Sequence, residues 1–392
     1  MPTPRAEPFE IHVPDDALDD LRDRLLRWRA TPDFDNDDWR YGTNGDYLSE
    51  LVGYWIDEYD WRTHEAAMNA FSNYRVEIDG MPIHFLHEAG RGPTPLPLVL
   101  SHGWPWTFWD FEQVIGPLAD PGAHGGDPAD AFDVIVPSLP GFGFSSPLNR
   151  SGVGITTTAV LWDELMRGVL GYEHYGAQGG DWGAIVSATL GHRFADAVVG
   201  VHESLPGFLG LDYASLAPED YGPDEADWPA RMAAKMATAT SHMAVHSMDP
   251  QTLAYALDDS PVGLAAWIVE RRRAWGDCGG DVESRFSKDH LLTTVSVYWH
   301  TRTIGTSMRY YFENAHGEQF APVHDRQPAV EVPSGFAVFP EDVLLVPRKV
   351  AERHANVQRW TVMEAGGHFA PAEEPECLVE DVRAFFRTLR ST

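Results

Sequence analysis

The chain has 392 residues, of which 43% are hydrophobic and 12% aromatic, with 14 Trp; this apolar content excludes a disordered protein, and the length suits one large domain with insertions or two unequal ones. With 59 acidic and 29 basic side chains the formal charge is −30, a field that repels nucleic-acid phosphates and anionic membranes and leaves neutral or cationic small molecules as compatible partners. Cys278 and Cys377 are the only cysteines and support neither a disulfide framework nor a thiolate metal site.

The stretch Met1 to Pro8 lacks the continuous apolar core of a leader, and no later stretch reaches the ~18 uninterrupted apolar residues of a membrane span. The expectation is a soluble, cytoplasmic protein. Lys occurs only at 235, 288 and 349, an Arg bias in the style of a GC-rich bacterial genome.

Residues 6 to about 90 read as a helical extension. Asp15-Asp16 precede Ala17, Leu18, Leu21, Leu25 and Leu26, an apolar stripe at helical spacing with acidic groups at the positive end of the helix dipole. Further helices are predicted around Tyr47 to Trp55 and Trp61 to Phe71. The alternation from Tyr74 to Ile78 predicts a strand that turns at Asp79-Gly80 and pairs with Met81 to His87. From residue 96 the texture changes. Leu96 to Ser101 and Phe132 to Pro137 are short apolar runs of the kind that form buried parallel strands, and a helix over Thr158 to Leu170 precedes another such run, Tyr175 to Gln178. After about 205 the rhythm stops: residues 206–325 are Ala/Met-rich and helical, until Ser334 to Phe339 and Arg359 to Met363 restore two strands. The expected organisation is therefore α/β with a mainly parallel sheet: an extension (1–95), a first core part (96–205), a helical lid (206–325) and a last core part (326–392).

The segment Gly179-Gly180-Asp181-Trp182-Gly183 follows one predicted strand and opens a helix. Small residues two before and two after a polar residue suit a sharp strand-to-helix elbow, where a bulkier Cβ clashes. A carboxylate on such an elbow can attack an sp³ carbon bearing a leaving oxygen or halide, forming an ester that must then be hydrolysed. Equally, Asp181 can cap the next helix after an ordinary Gly-Gly turn. Two further segments favour chemistry. His368, in Glu364-Ala365-Gly366-Gly367-His368-Phe369, falls on a loop after the last strand, and Asp342 falls at the end of the preceding strand. Asp181, Asp342 and His368 then follow the nucleophile, acid, histidine order of the α/β-hydrolase triad. Glu341, one residue away, is expected to point to the other side of an extended chain. His102-Gly103-Trp104-Pro105 lies where a second oxyanion-hole amide is donated, so the backbone N–H groups of Trp104 and Trp182 are the candidates.

Together with Pro140-Gly141-Phe142-Gly143-Phe144-Ser145, these motifs resemble the epoxide hydrolase family of the α/β-hydrolase fold. Phe9 to about Phe111 is similar to the N-terminal domain of its microsomal-type members, and Asp258 to Trp267, Gly366 to Ala370 and Glu374-Pro375-Glu376 resemble that subfamily's lid and C-terminal signatures. No counterpart of the microsomal members' membrane anchor is expected. The resemblance implies conversion of an epoxide and water to a vicinal diol through an Asp181 ester, hydrolysed by water that His368 activates with Asp342. It also implies a pair of lid tyrosines that bind and protonate the epoxide oxygen. Arg309-Tyr310-Tyr311-Phe312-Glu313-Asn314 matches the motif of one, with Tyr311 the acid and Tyr310 the fallback. His242 stands where the other is expected. It either replaces that tyrosine, with titration near neutrality as its signature, or is a plain helix residue while Tyr311 acts alone. Trp106, where relatives carry a small residue, is expected to narrow the pocket mouth. No metal or cofactor is called for. The partners are a small apolar epoxide and water, a homodimer is compatible with the sequence, and the missing tyrosine resembles bacterial natural-product enzymes of the enediyne type. The alternatives are a haloalkane dehalogenase, disfavoured by Trp104 where Asn is usual and by Tyr311, and a catalytically silent binding protein, disfavoured by an intact triad.

Overall fold

The computed structural model describes residues 5–317 and 321–390. The reading of Met1 to Pro4, and small parts of the lid and last-core expectations, fall outside them. The strands are β1 (Glu7–Pro8), β2 (Asn73–Ile78), β3 (Met81–Glu88), β4 (Leu96–Ser101), β5 (Phe132–Pro137), β6 (Tyr175–Gly179), β7 (Val198–Glu203), β8 (Val330–Val338) and β9 (Ala355–Val362). They form one sheet in the order β1-β2-β3-β5-β4-β6-β7-β8-β9. The pairs from β5 to β9 are parallel, and β1-β2, β2-β3 and β3-β5 are antiparallel. Helices cover both faces, so the central strands read as continuous apolar runs: Leu98, Val99, Val134, Ile135, Ala177 and Val201 are all fully buried.

The extension contributes helices Asp15–Leu26, Gly45–Asp57 and Trp61–Asn69. Its hairpin turns at Asp79 and Gly80, both at positive φ (51° and 72°), the conformation an Asp-Gly hairpin turn requires. Because β3 pairs with β5, this hairpin prolongs the core sheet. Sequence reasoning passed over β7, whose run Val198-Val199-Gly200-Val201-His202-Glu203 is interrupted by glycine and ends in polar residues. Gly200 leaves room for the C-terminal segment: a Cβ would stand 2.6 Å from Leu389, two residues past the helix Pro375–Arg387, and 3.2 Å from Phe385 within it. β8 also starts earlier than expected, at Val330.

Between β7 and β8 lies the lid, with helices Trp228–Ala239, Ser241–Met248, Pro250–Leu257, Pro261–Trp275, Lys288–Thr301 and Ile304–His316. A buried ion pair fastens it to the core: Arg272 reaches Asp110 through Nη1 (2.6 Å) and Nη2 (3.0 Å) and donates to the Pro105 carbonyl (3.2 Å). Burial alone would raise the Asp110 pKa, but Arg272 holds the carboxyl below the usual range. The extension meets the lid too, with Thr43 donating to Ala266 O (2.7 Å) and Tyr54 to Asp289 (2.9 Å). Among the described residues, no helix is long and apolar enough to cross a membrane.

Candidate active site

β6 ends at Gly179, the helix Trp182–Arg193 begins three residues on, and Asp181 between them sits at φ 52°, ψ −129°. That backbone conformation is costly for a residue with a Cβ and is held only by its surroundings. The flanking glycines show how tight the elbow is. A Cβ at Gly179 would stand 2.2 Å from the Gly183 carbonyl oxygen, and one at Gly183 would stand 1.9 Å from that of Ser101. Gly103 is equally constrained, since its Cβ would fall 2.0 Å from Asp181 Oδ1.

In that space the Trp104 N–H donates to Asp181 Oδ1 (2.7 Å), and Trp182 opens the helix directly after the carboxylate. Asp181 Oδ2 lies 3.2 Å from His368 Nε2, an ion-pair approach. On the other side of the ring, His368 Nδ1 lies 2.8 Å from Asp342 Oδ1. The three triad candidates are thus in one line. Burial by itself would lower the pKa of His368, yet Asp342 and then Asp181 outweigh it and push it up to about 10. Glu341 is excluded from this line, but not by strand alternation. The chain turns there, with Asp342 N–H donating to Phe339 O (3.2 Å), and Glu341 instead pairs with Arg231 (3.0 Å) and Lys235 (3.6 Å).

A cavity of about 340 Å³ opens over Asp181 and His368. Trp182, Trp275, Tyr311 and His242 line it, with Ile185, Leu205, Met236, Met243, Val343 and Leu344 making it apolar. Larger hollows of about 750 and 1140 Å³ lie where the extension meets the lid, and neither is lined by a triad candidate.

Tyr311, on the helix Ile304–His316, presents its ring edge-on to Trp182 (centroids 4.7 Å), His246 (4.9 Å) and His242 (5.2 Å). Burial, reinforced by Asp181, pushes its phenol well above the usual range, so it stays protonated. The fallback Tyr310 is corrected. One residue along a helix turns a side chain by about 100°, and Tyr310 faces the core, where its hydroxyl meets Thr158 Oγ1 (2.9 Å). Trp106 is corrected as well: it does not narrow the mouth but lies fully buried beneath the site, its ring 2.7 Å from where a Gly180 Cβ would be and edge-on to His368 (5.7 Å).

His242, on the helix Ser241–Met248, lines the cavity with its ring stacked over Trp104 (5.2 Å, 8° between planes). The surroundings of the ring run against the expected titration near neutrality. Burial, then His246, hold its pKa well below 6.5, so the ring is neutral at physiological pH. Sequence reasoning missed two neighbours. Trp275 stands edge-on to both His368 (5.1 Å) and His242 (4.8 Å). His246, one turn beyond His242, accepts from Trp267 Nε1 (3.2 Å) and is lowered to about 3 by burial. The signal available was the i, i+4 spacing of His242 and His246. Among the described residues, no group of three His, Cys, Asp or Glu is placed to hold a metal.

A mainly parallel sheet with a strained elbow carrying a carboxylate, and a histidine loop facing it, defines an α/β-hydrolase, and residues 97–244 match the alpha/beta hydrolase fold family. Residues 6–111 match the family described as the epoxide hydrolase N terminus. A Stigmatella aurantiaca protein named "Putative epoxide hydrolase" is 41% identical over 98% of this chain and 85% of its own. Epoxide hydrolase 1 of Oryctolagus cuniculus is 35% identical over 96% of this chain and 88% of its own. In structure, the juvenile hormone epoxide hydrolase of the silkworm Bombyx mori superposes with a TM-score of 0.88 at 28% identity, covering 98% of this chain and 95% of that one. The chain belongs to the epoxide hydrolase family, and it is an enzyme of the hydrolase class. The dehalogenase and silent-binder alternatives give way to this membership.

Proposed function

We propose that the enzyme opens an apolar epoxide by attack of Asp181 and hydrolyses the resulting ester with water activated by His368. The observation that carries this reading is the position of the His368 ring, 3.2 Å from Asp181 Oδ2 and 2.8 Å from Asp342 Oδ1. With Oδ1 occupied by the Trp104 N–H, Oδ2 is the attacking oxygen. It forms a bond to an epoxide carbon as the C–O bond of the ring breaks. The alkoxide takes a proton from Tyr311, which is kept protonated by its burial and lies on the cavity wall. His242 is the second donor in this scheme, as a neutral imidazole with one N–H.

Esterification removes the Asp181 charge, one of the two that raise the His368 pKa. The imidazolium then releases its proton more easily, passes it through water to the Tyr311 phenolate, and becomes a base. Water attacks the ester carbonyl carbon and gives its proton to His368 Nε2. The oxyanion forms at Oδ1 against the Trp104 and Trp182 amides. Collapse breaks the acyl C–O bond, His368 returns the proton to the departing alkoxide, and Asp181, which retains the oxygen of the water as a carboxylic acid, passes its proton to His368 to restore the starting ion pair. Asp342 keeps the ring oriented and stabilises its charged form. All these groups come from one chain, so a second copy enters nowhere in the chemistry. The cavity favours small apolar epoxides; the natural-product expectation rests on the sequence resemblance alone.

The test is a single turnover in ¹⁸O-labelled water with styrene oxide, in the parent and in His368→Ala. Label should enter Asp181 and not the diol, and the variant should hold the ester, seen as added mass on the intact protein. Label in the first-turnover diol would overturn the ester route.

A further inference from the structure

The loop that carries His368 is bound on both sides by one carboxylate that the chemistry above leaves unused. Glu373 is buried in the short helix Ala370–Glu373 just after the histidine. Its Oε1 accepts the Phe369 N–H (2.7 Å) and its Oε2 the Gly367 N–H (3.0 Å), so the amides flanking His368 end on the same side chain. Oε2 also accepts the N–H of Asp277 (2.7 Å), two residues beyond the lid helix Pro261–Trp275. The lid segment reciprocates. Asp277 Oδ2 accepts the Gly366 N–H (3.0 Å), and the Trp275 carbonyl accepts the His368 N–H (3.0 Å). The backbones touch: a Cβ at Gly367 would stand 2.6 Å from Asp277 N and 2.7 Å from Trp275 O.

We propose that Glu373 is a positioning residue for ester hydrolysis, fixing the His368 loop to the end of the lid helix so that Nε2 is aimed at the ester carbonyl. This rests on the reading of His368 as the base. A carboxylate can accept all three N–H groups, whereas a glutamine presents its own N–H donors to one side of the cluster. Ester formation uses Asp181 and the lid donors, none of which touches Glu373. Hydrolysis needs the ring of His368 in place. Loss of the clamp therefore separates the two steps, which a general loss of structure does not do.

The experiment mixes styrene oxide with the parent, Glu373→Gln, His368→Ala and the exposed-site control Glu376→Gln, quenches at intervals, and follows ester by intact mass and diol by chromatography. Circular dichroism checks each fold. Glu373→Gln should form ester within about threefold of the parent rate while hydrolysing it about 100-fold more slowly, so that kcat and KM fall together. Glu376→Gln should match the parent. Equal losses in both steps, or none in hydrolysis, overturn the proposal. If His368→Ala does not hold ester, the assignment of the base itself falls, whatever Glu373→Gln does. If Glu373→Gln fails to fold, Asp277→Ala, partly exposed and on the lid side of the clamp, should show the same division at smaller size; unchanged hydrolysis there would overturn the link.

Discussion

The sheet edge and the lid hold their candidate active-site side chains by different means. At the edge, Asp181, Asp342 and His368 are fixed by backbone: a strained elbow closed by Gly179 and Gly183, the Trp104 amide on Asp181, and a turn that delivers Asp342. In the lid, Tyr311 and His242 are placed by ring packing against Trp182, Trp104 and Trp275. Hydrogen-bonded backbone defines positions to fractions of an ångström, whereas packed rings tolerate exchange for others of similar volume. The edge is therefore suited to positions that must not vary, and the lid to donors whose neighbours can change with the substrate.

The largest effect is expected at the edge. Asp181→Asn should abolish diol formation; near-full activity, with mass spectrometry showing no reversion to Asp, would remove the nucleophile assignment. Next, Asp342→Asn should lower kcat by about 1000-fold, since the ring loses its orienting charge, while Glu341→Gln, whose partners are Arg231 and Lys235, should stay close to the parent in steady-state assays. Comparable losses in the two would place the acid wrongly.

In the lid the effects should be graded. Tyr311→Phe should slow ester formation by about 100-fold in stopped-flow fluorescence, the lower end for loss of a general acid. His242→Tyr should retain activity within about tenfold, since one cavity donor replaces another of similar packing. Because burial keeps His242 neutral, the pH profile of ester formation should be alike in the parent and in His242→Tyr; an inflection near neutrality that vanishes in the variant would show that the ring titrates after all.

The smallest effect concerns stability. His368 is raised from 6.5 to about 10 in the fold, so its ion pairs stabilise fully below pH 6.5 and are lost as pH rises through about 10. Over that window the Tm of the parent should fall more than that of His368→Gln, as read by differential scanning calorimetry.

Part of this was written in local sequence. The Gly-Gly-Asp-Trp-Gly elbow, the Asp-Gly hairpin and the chain order of Asp181, Asp342 and His368 are legible because backbone sterics and short-range spacing decide them. Only the tertiary structure decided the rest. Which of Tyr310 and Tyr311 faces the cavity depends on where the helix Ile304–His316 rests, and Thr158, distant in sequence, claims Tyr310. His242 is neutral because a lid of aromatic rings removes water from it, and Trp106 supports the site because Gly180 leaves room above it. β7 was hidden by a glycine that leaves room for the C-terminal segment against it. Glu373 was indistinguishable from its neighbours Glu374 and Glu376 until the chain brought Asp277, 96 residues away, onto its carboxylate. Desolvation and long-range hydrogen bonds depend on residues far apart in the chain, and a single sequence carries no direct record of who meets whom.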